Sequence, residues 1–196
     1  MKKINLYLLS QWLVASTFFL TPSVLCAKHI VGGEITYKCI GGDGLTMNRY
    51  QFTMRIYRDG NTQGGAPLDP IANIGIFNAT TGRLIESFGQ EISTITEVAL
   101  PSYPCLVPPD VKVQEGLYVW TKDLPVISGT YLVMYQRCCR NETINNVRNP
   151  GDVGASYTVE ITGLAQRIKN NSPVFKKVST NGYLRRRTTQ LRPFGN

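Results

Sequence analysis

Tyr131-Leu132-Val133-Met134-Tyr135-Gln136-Arg137-Cys138-Cys139-Arg140-Asn141 is the stretch whose reading decides the fold. It begins as a strand. Tyr131, Val133 and Tyr135 fall on one face, and Leu132 and Met134 on the other. Both faces are apolar, which predicts a strand in the middle of a packed sheet. It ends in two adjacent cysteines between Arg137 and Arg140. Neighbouring cysteines on a strand point to opposite faces, and a bond between them strains the peptide that joins them. The expectation is therefore that Cys138 and Cys139 each reach a different partner, as a structural staple.

Working outward, the next signal upstream is Tyr50-Gln51-Phe52-Thr53-Met54-Arg55-Ile56-Tyr57-Arg58. Tyr50, Phe52, Met54 and Ile56 alternate with Gln51, Thr53 and Arg55, the pattern of a strand with one face on a core and one near water. Further strands are expected at Ala72 to Asn78, Arg83 to Phe88, Glu91 to Leu100, Val111 to Val113 with Gly116 to Thr121, and Ser156 to Thr162. Gly41-Gly42-Asp43-Gly44, Asp59-Gly60-Asn61 and Ala79-Thr80-Thr81-Gly82 read as turns. Pro101 to Pro109 reads as a rigid crossing between two sheets, with Cys105 available to pin it. Leu124 to Gly129 reads as the turn into the Tyr131 strand. No helix is expected in the mature chain. About eight strands spaced by turn residues predict an all-β, two-sheet sandwich of the immunoglobulin-like kind, stapled by disulfides.

The chain of 196 residues has a formal charge of +8. That charge resides at the ends: Lys2 and Lys3 at one, and Lys176, Lys177, Arg185, Arg186, Arg187 and Arg192 at the other. The body from Lys28 to Phe175 is neutral, so it carries no electrostatic footprint for nucleic acid. Residues 1–27 read as a secretory signal peptide: two lysines, an apolar run from Leu6 to Leu20, then Pro22 and small residues leading to a cut after Ala27. No stable membrane anchor remains after cleavage, and Leu25 before Cys26 argues against lipid attachment. Domain organisation is then signal peptide 1–27, sandwich 28–175, and a basic, disordered tail 176–196.

Cleavage removes Cys26 and leaves Cys39, Cys105, Cys138 and Cys139, an even set that implies two disulfides in an exported chain. Cys138 and Cys139 are expected to take one each of Cys39 and Cys105, in an order the residues do not specify. Ile30-Val31-Gly32-Gly33 resembles the activated start of a trypsin-like protease, but that chemistry needs a histidine base downstream and a serine in a Gly-rich turn. His29 is the only histidine and lies upstream, so an edge strand with a Gly bend is the better reading. One histidine also leaves no zinc ligand set and no base for a nucleophilic cysteine. No enzyme activity, metal or cofactor is expected. Arg137, Arg140 and Asn141 are candidates to hold an anion or to anchor loop carbonyls, with anchoring favoured. Trp120 is expected in or beside the core, and together with Tyr57 and Tyr103 it is the candidate for a sugar-binding groove should those rings prove exposed.

His29 to Cys39, Ile56-Tyr57-Arg58-Asp59, Pro104-Cys105-Leu106, Tyr135 to Asn141 and Asn149-Pro150-Gly151 together resemble the N-terminal module of large Bacteroidetes surface proteins of the gliding-motility-associated C-terminal domain group. The resemblance covers roughly Lys28 to Phe175. It implies a Gram-negative host, export by the type IX secretion route, and a role in adhesion, motility-linked attachment or scaffolding. Partners would be a surface polymer or neighbouring protein domains, and the location the periplasm, cell surface or medium. Relatives carry cysteines where Gly60 and Lys112 stand here; their joint loss implies that those two positions pair with each other. Relatives also continue past Phe175 into further β domains, so this chain is expected to be a truncated version. The rival reading is a carbohydrate-binding module or an accessory domain of a secreted hydrolase.

Overall fold

The computed structural model describes residues 30–60, 66–99, 112–141 and 144–174. The proposed signal peptide, Cys105, Tyr103 and the basic tail lie outside them. Among the described residues the chain forms eight strands: β1 (Ile30–Gly42), β2 (Met47–Asp59), β3 (Ile71–Asn78), β4 (Leu84–Glu91), β5 (Thr94–Val98), β6 (Val113–Pro125), β7 (Tyr131–Arg137) and β8 (Ala155–Ile161). They make two antiparallel four-stranded sheets, β1-β2-β6-β5 and β4-β3-β7-β8. In immunoglobulin lettering this is A-B-E-D against C′-C-F-G. The Tyr131 strand is an inner strand of the second sheet, as its two apolar faces required.

The sheets pack through their alternating apolar residues. Tyr50, Phe52, Met54 and Ile56 of β2, with Tyr118, Trp120 and Leu124 of β6, face Ala72, Ile74 and Ile76 of β3 and Tyr131, Val133 and Tyr135 of β7. Aromatic contacts organise this interior. The Phe52 and Trp120 rings stack at 5.2 Å, and Tyr37 meets Tyr50 edge-on at 5.7 Å. Tyr131 also builds the corner between β6 and β7: its hydroxyl donates to the Pro125 carbonyl at 2.8 Å. A tyrosine at the start of strand F that reaches back in this way is a recurrent feature of immunoglobulin-like sandwiches.

Several expectations are corrected. The one or two short strands expected over Val111 to Val113 and Gly116 to Thr121 are one longer strand of 13 residues, because β6 pairs with β2 along its whole length, from Asp59↔Val113 to Met47↔Pro125. It therefore consumes Leu124 and Pro125, which were read as turn. The Pro-rich segment lies outside the described residues, and the strands on either side of it, β5 and β6, are neighbours in one sheet rather than members of two. The chain changes sheet between β2 and β3, at Ile92–Ser93, held by Ile92 N–H to Pro70 O (2.9 Å) and Ser93 N–H to Leu117 O (2.7 Å), and between β6 and β7. A helix does occur: α1 (Gly163–Arg167), with Thr162 as its cap, accepting from Ala165 N–H at 3.1 Å. Five residues are too few to show a helical period in the sequence.

Candidate functional site

The two ends of the sandwich are closed in different ways. At the end where β1 begins, the segment before β3 folds across the gap between the sheets. Leu68 inserts into the core beside Gly116, and Asp69 follows it. The Tyr118 hydroxyl donates to the Asp69 carbonyl at 2.7 Å, and the Tyr135 hydroxyl to its carboxylate at 2.5 Å. Arg137 donates to the Pro67 carbonyl at 2.6 Å, and its Nη1 lies 3.0 Å from the Asp69 carboxylate without hydrogen-bond alignment. One strap is thus held from both sheets.

Burial pushes the Tyr118 phenol up to about 12, with the Asp69 charge adding to it. Tyr135 is raised by burial first, then by its hydrogen bond to Asp69. Both phenols stay neutral and donate.

The opposite end is closed by α1. Gln166 is buried and answers three backbone groups from two connections. Its Oε1 accepts from Ile127 N–H (2.9 Å), and its Nε2 donates to the carbonyls of Gly129 (2.9 Å) and Ile161 (3.1 Å). Asn48, also buried, donates to the Gln166 carbonyl (2.7 Å) and the Tyr50 hydroxyl (3.1 Å), and accepts from Gly44 N–H (2.9 Å). Gly44 has φ +75°, and a Cβ there would meet the Arg167 carbonyl at 2.5 Å, so this turn needs glycine. Asp43 caps the same turn, accepting from Leu45, Thr46 and Met47 N–H and from the Thr46 hydroxyl. The Thr46 hydroxyl and those amides hold its carboxyl well below the usual carboxylate range.

The candidate residues of the sequence divide accordingly. Arg137 fastens the strap. Arg140 donates through Nε to the Gly154 carbonyl at 3.0 Å, and its own N–H lies 3.1 Å from the carbonyls of Pro150 and Val153. Asn141 is buried, and its N–H donates to the Ile30 carbonyl at 3.1 Å, tying the start of β1 to the exit from β7. Trp120 is only 6% exposed, under Phe52 and Phe88. It cannot line an open sugar groove, and its Nε1 finds no hydrogen-bond partner among the described residues.

The disulfide expectation is overturned. Cys138 and Cys139 lie at disulfide distance from each other, and among the described residues Cys39 is a free, half-buried thiol whose Sγ contacts the Gly41 carbonyl at 3.5 Å. Two geometric facts account for this. β7 ends at Arg137 and Cys139 has φ +75°, so the doublet is not strand and its side chains do not alternate. Cys39 also stands at the far end of β1. Ile30 bridges Arg140, and nine residues of strand beyond it span about 30 Å, whereas a disulfide needs Cα atoms within roughly 7 Å.

Sequence reasoning missed Asp69, Asn48 and Gln166. Gly60 and Lys112 are different: Gly60 N–H donates to the Lys112 carbonyl at 2.7 Å, and a Cβ built on Gly60 lies 3.4 Å from that of Lys112. No protein-family model, curated protein or solved structure matches the chain.

Proposed function

We propose that this chain is a non-enzymatic, exported structural module of a bacterial surface protein, working in adhesion or motility-linked attachment. One observation carries the reading. Polar side chains at the two ends of the sandwich fasten segments: the partly exposed Asp69 and Arg137 at one end, the buried Asn48 and Gln166 at the other. A module built to stay folded while it transmits attachment to neighbours needs closed ends of this kind. The proximity of positions 60 and 112 supports the resemblance to the Bacteroidetes surface modules, where cysteines at those positions would pair. The periplasm is the alternative destination of the exported chain.

The test is fractionation of the native organism with antibody raised to residues 30–174, combined with protease treatment of intact cells. Antigen in the surface fraction or medium, cleaved on intact cells, supports the reading. Antigen confined to the cytoplasm overturns it.

A further inference from the structure

The outer face of the β4-β3-β7-β8 sheet carries a groove of about 310 Å³ that none of the fastening contacts uses. Its floor is the middle of β3, where Gly75 has no side chain. The Phe77 ring lies over that gap: a Cβ on Gly75 would stand 2.5 Å from Phe77 Cε2. Leu84 of β4, which is 49% exposed, and Met134 of β7 form the apolar walls. Asn73, Ser87 and Gln136 supply polar groups. Gln136 donates to the Ser156 hydroxyl at 3.0 Å, which leaves its amide oxygen as an acceptor. Among the described residues, the Asn73 and Ser87 side chains make no hydrogen bond.

The composition of this lining selects its occupant. In a chain that is 17% charged, no charged side chain lines the groove, so an ionic ligand gains nothing there. An aromatic ring beside amides and a hydroxyl is the arrangement that takes a sugar: the ring packs on the C–H face of a pyranose, and the amides exchange hydrogen bonds with its hydroxyls. The volume falls at the low end of ligand sites, about 300–1,000 Å³, and suits one or two sugar rings of a polymer that continues across the sheet.

We infer that Asn73, Phe77, Ser87 and Gln136 form a binding subsite for a neutral polysaccharide on the outer face of this sheet. This deepens the attachment reading and rests on it only in that the polymer is met outside the cytoplasm.

The experiment is affinity electrophoresis of the purified chain through native gels containing, in turn, soluble β-glucan, mannan, xylan and, as an anionic control, alginate. Retardation by at least one neutral polymer is expected. Phe77→Ala should weaken it roughly tenfold, and Asn73→Ala several-fold. Asn73 is exposed and makes no hydrogen bond among the described residues, so its loss should leave the fold intact; thermal unfolding of both variants checks this. Retardation by no neutral polymer, by alginate alone, or undiminished in both variants overturns the site. So does self-association of the parent that Phe77→Ala abolishes without any gel retardation, which would give the face to a second copy. None of these outcomes alters the fractionation result, so the two readings fail separately.

Discussion

Cys139 leaves β7 with a left-handed backbone, and that one torsion redirects the cysteine chemistry of the chain. A doublet read as strand sends its thiols to opposite faces; a doublet that has left the strand does not. Cys39, at the other end of β1, has neither cysteine within reach. Alkylation of the folded protein followed by peptide mapping without reductant is expected to find Cys39 labelled and Cys138 and Cys139 unlabelled. A peptide joining Cys39 to either of them would show that β1 is wrongly placed. Of the residue-scale features, the aromatic and aliphatic core was legible from alternation alone. The left-handed torsion was not, because cysteine carries no preference for it that a sequence displays.

At the scale of elements, two sets of contacts decide how firmly strand ends are held, one between the sheets and one within a sheet. α1 is short, yet Gln166 satisfies backbone groups of both the β6–β7 corner and the end of β8. Gln166→Ala leaves those buried groups without partners and should cost roughly 2–4 kcal/mol in urea unfolding, whereas Lys169→Ala, on the exposed side, should cost almost nothing. Equal midpoints for the two variants would remove Gln166 from the closure. The second connection joins the end of β2 to the start of β6 at Gly60 and Lys112. Their built Cβ separation is near the roughly 3.5–4.5 Å of a disulfide. The double variant Gly60→Cys, Lys112→Cys is expected to oxidise to an intramolecular bridge and to gain about 2–4 kcal/mol over its reduced form. A double variant that keeps both thiols free under oxidising conditions would show these strand ends to be apart. The strands themselves were legible from period two, but their lengths were not. β6 runs into Pro125 because β2 continues beside it, and that is a property of the partner.

For the whole molecule, the end closed by the Asp69 strap makes stability depend on pH in the alkaline range. Tyr118 and Tyr135 have phenols raised above the ordinary value near 10, Tyr118 to about 12. A raised acid holds its proton longer in the folded state than in the unfolded one. Its stabilisation is therefore complete below pH 10 and lost as pH climbs from there through the folded-state value. Denaturant midpoints should be flat below pH 10 and fall above it. Tyr135→Phe, which removes one of the two phenols, should flatten the fall. A slope unchanged in that variant would assign the alkaline loss to other tyrosines.

The sequence by itself determined the all-β class, the inward residues of β2, the central place of β7, the turns at Gly42 and Gly82, and the neutral body between two basic ends. These follow from alternation, turn chemistry and charge, all of them local properties. Only the tertiary structure decided which strands share a sheet, that the cysteine doublet faces itself, and that Asp69, Asn48 and Gln166 close the two ends. The strand partners and the closed ends depend on groups far apart in the chain meeting, and the doublet on the left-handed backbone at Cys139. A buried polar residue gives no sign in the sequence of the distant backbone group that will satisfy it.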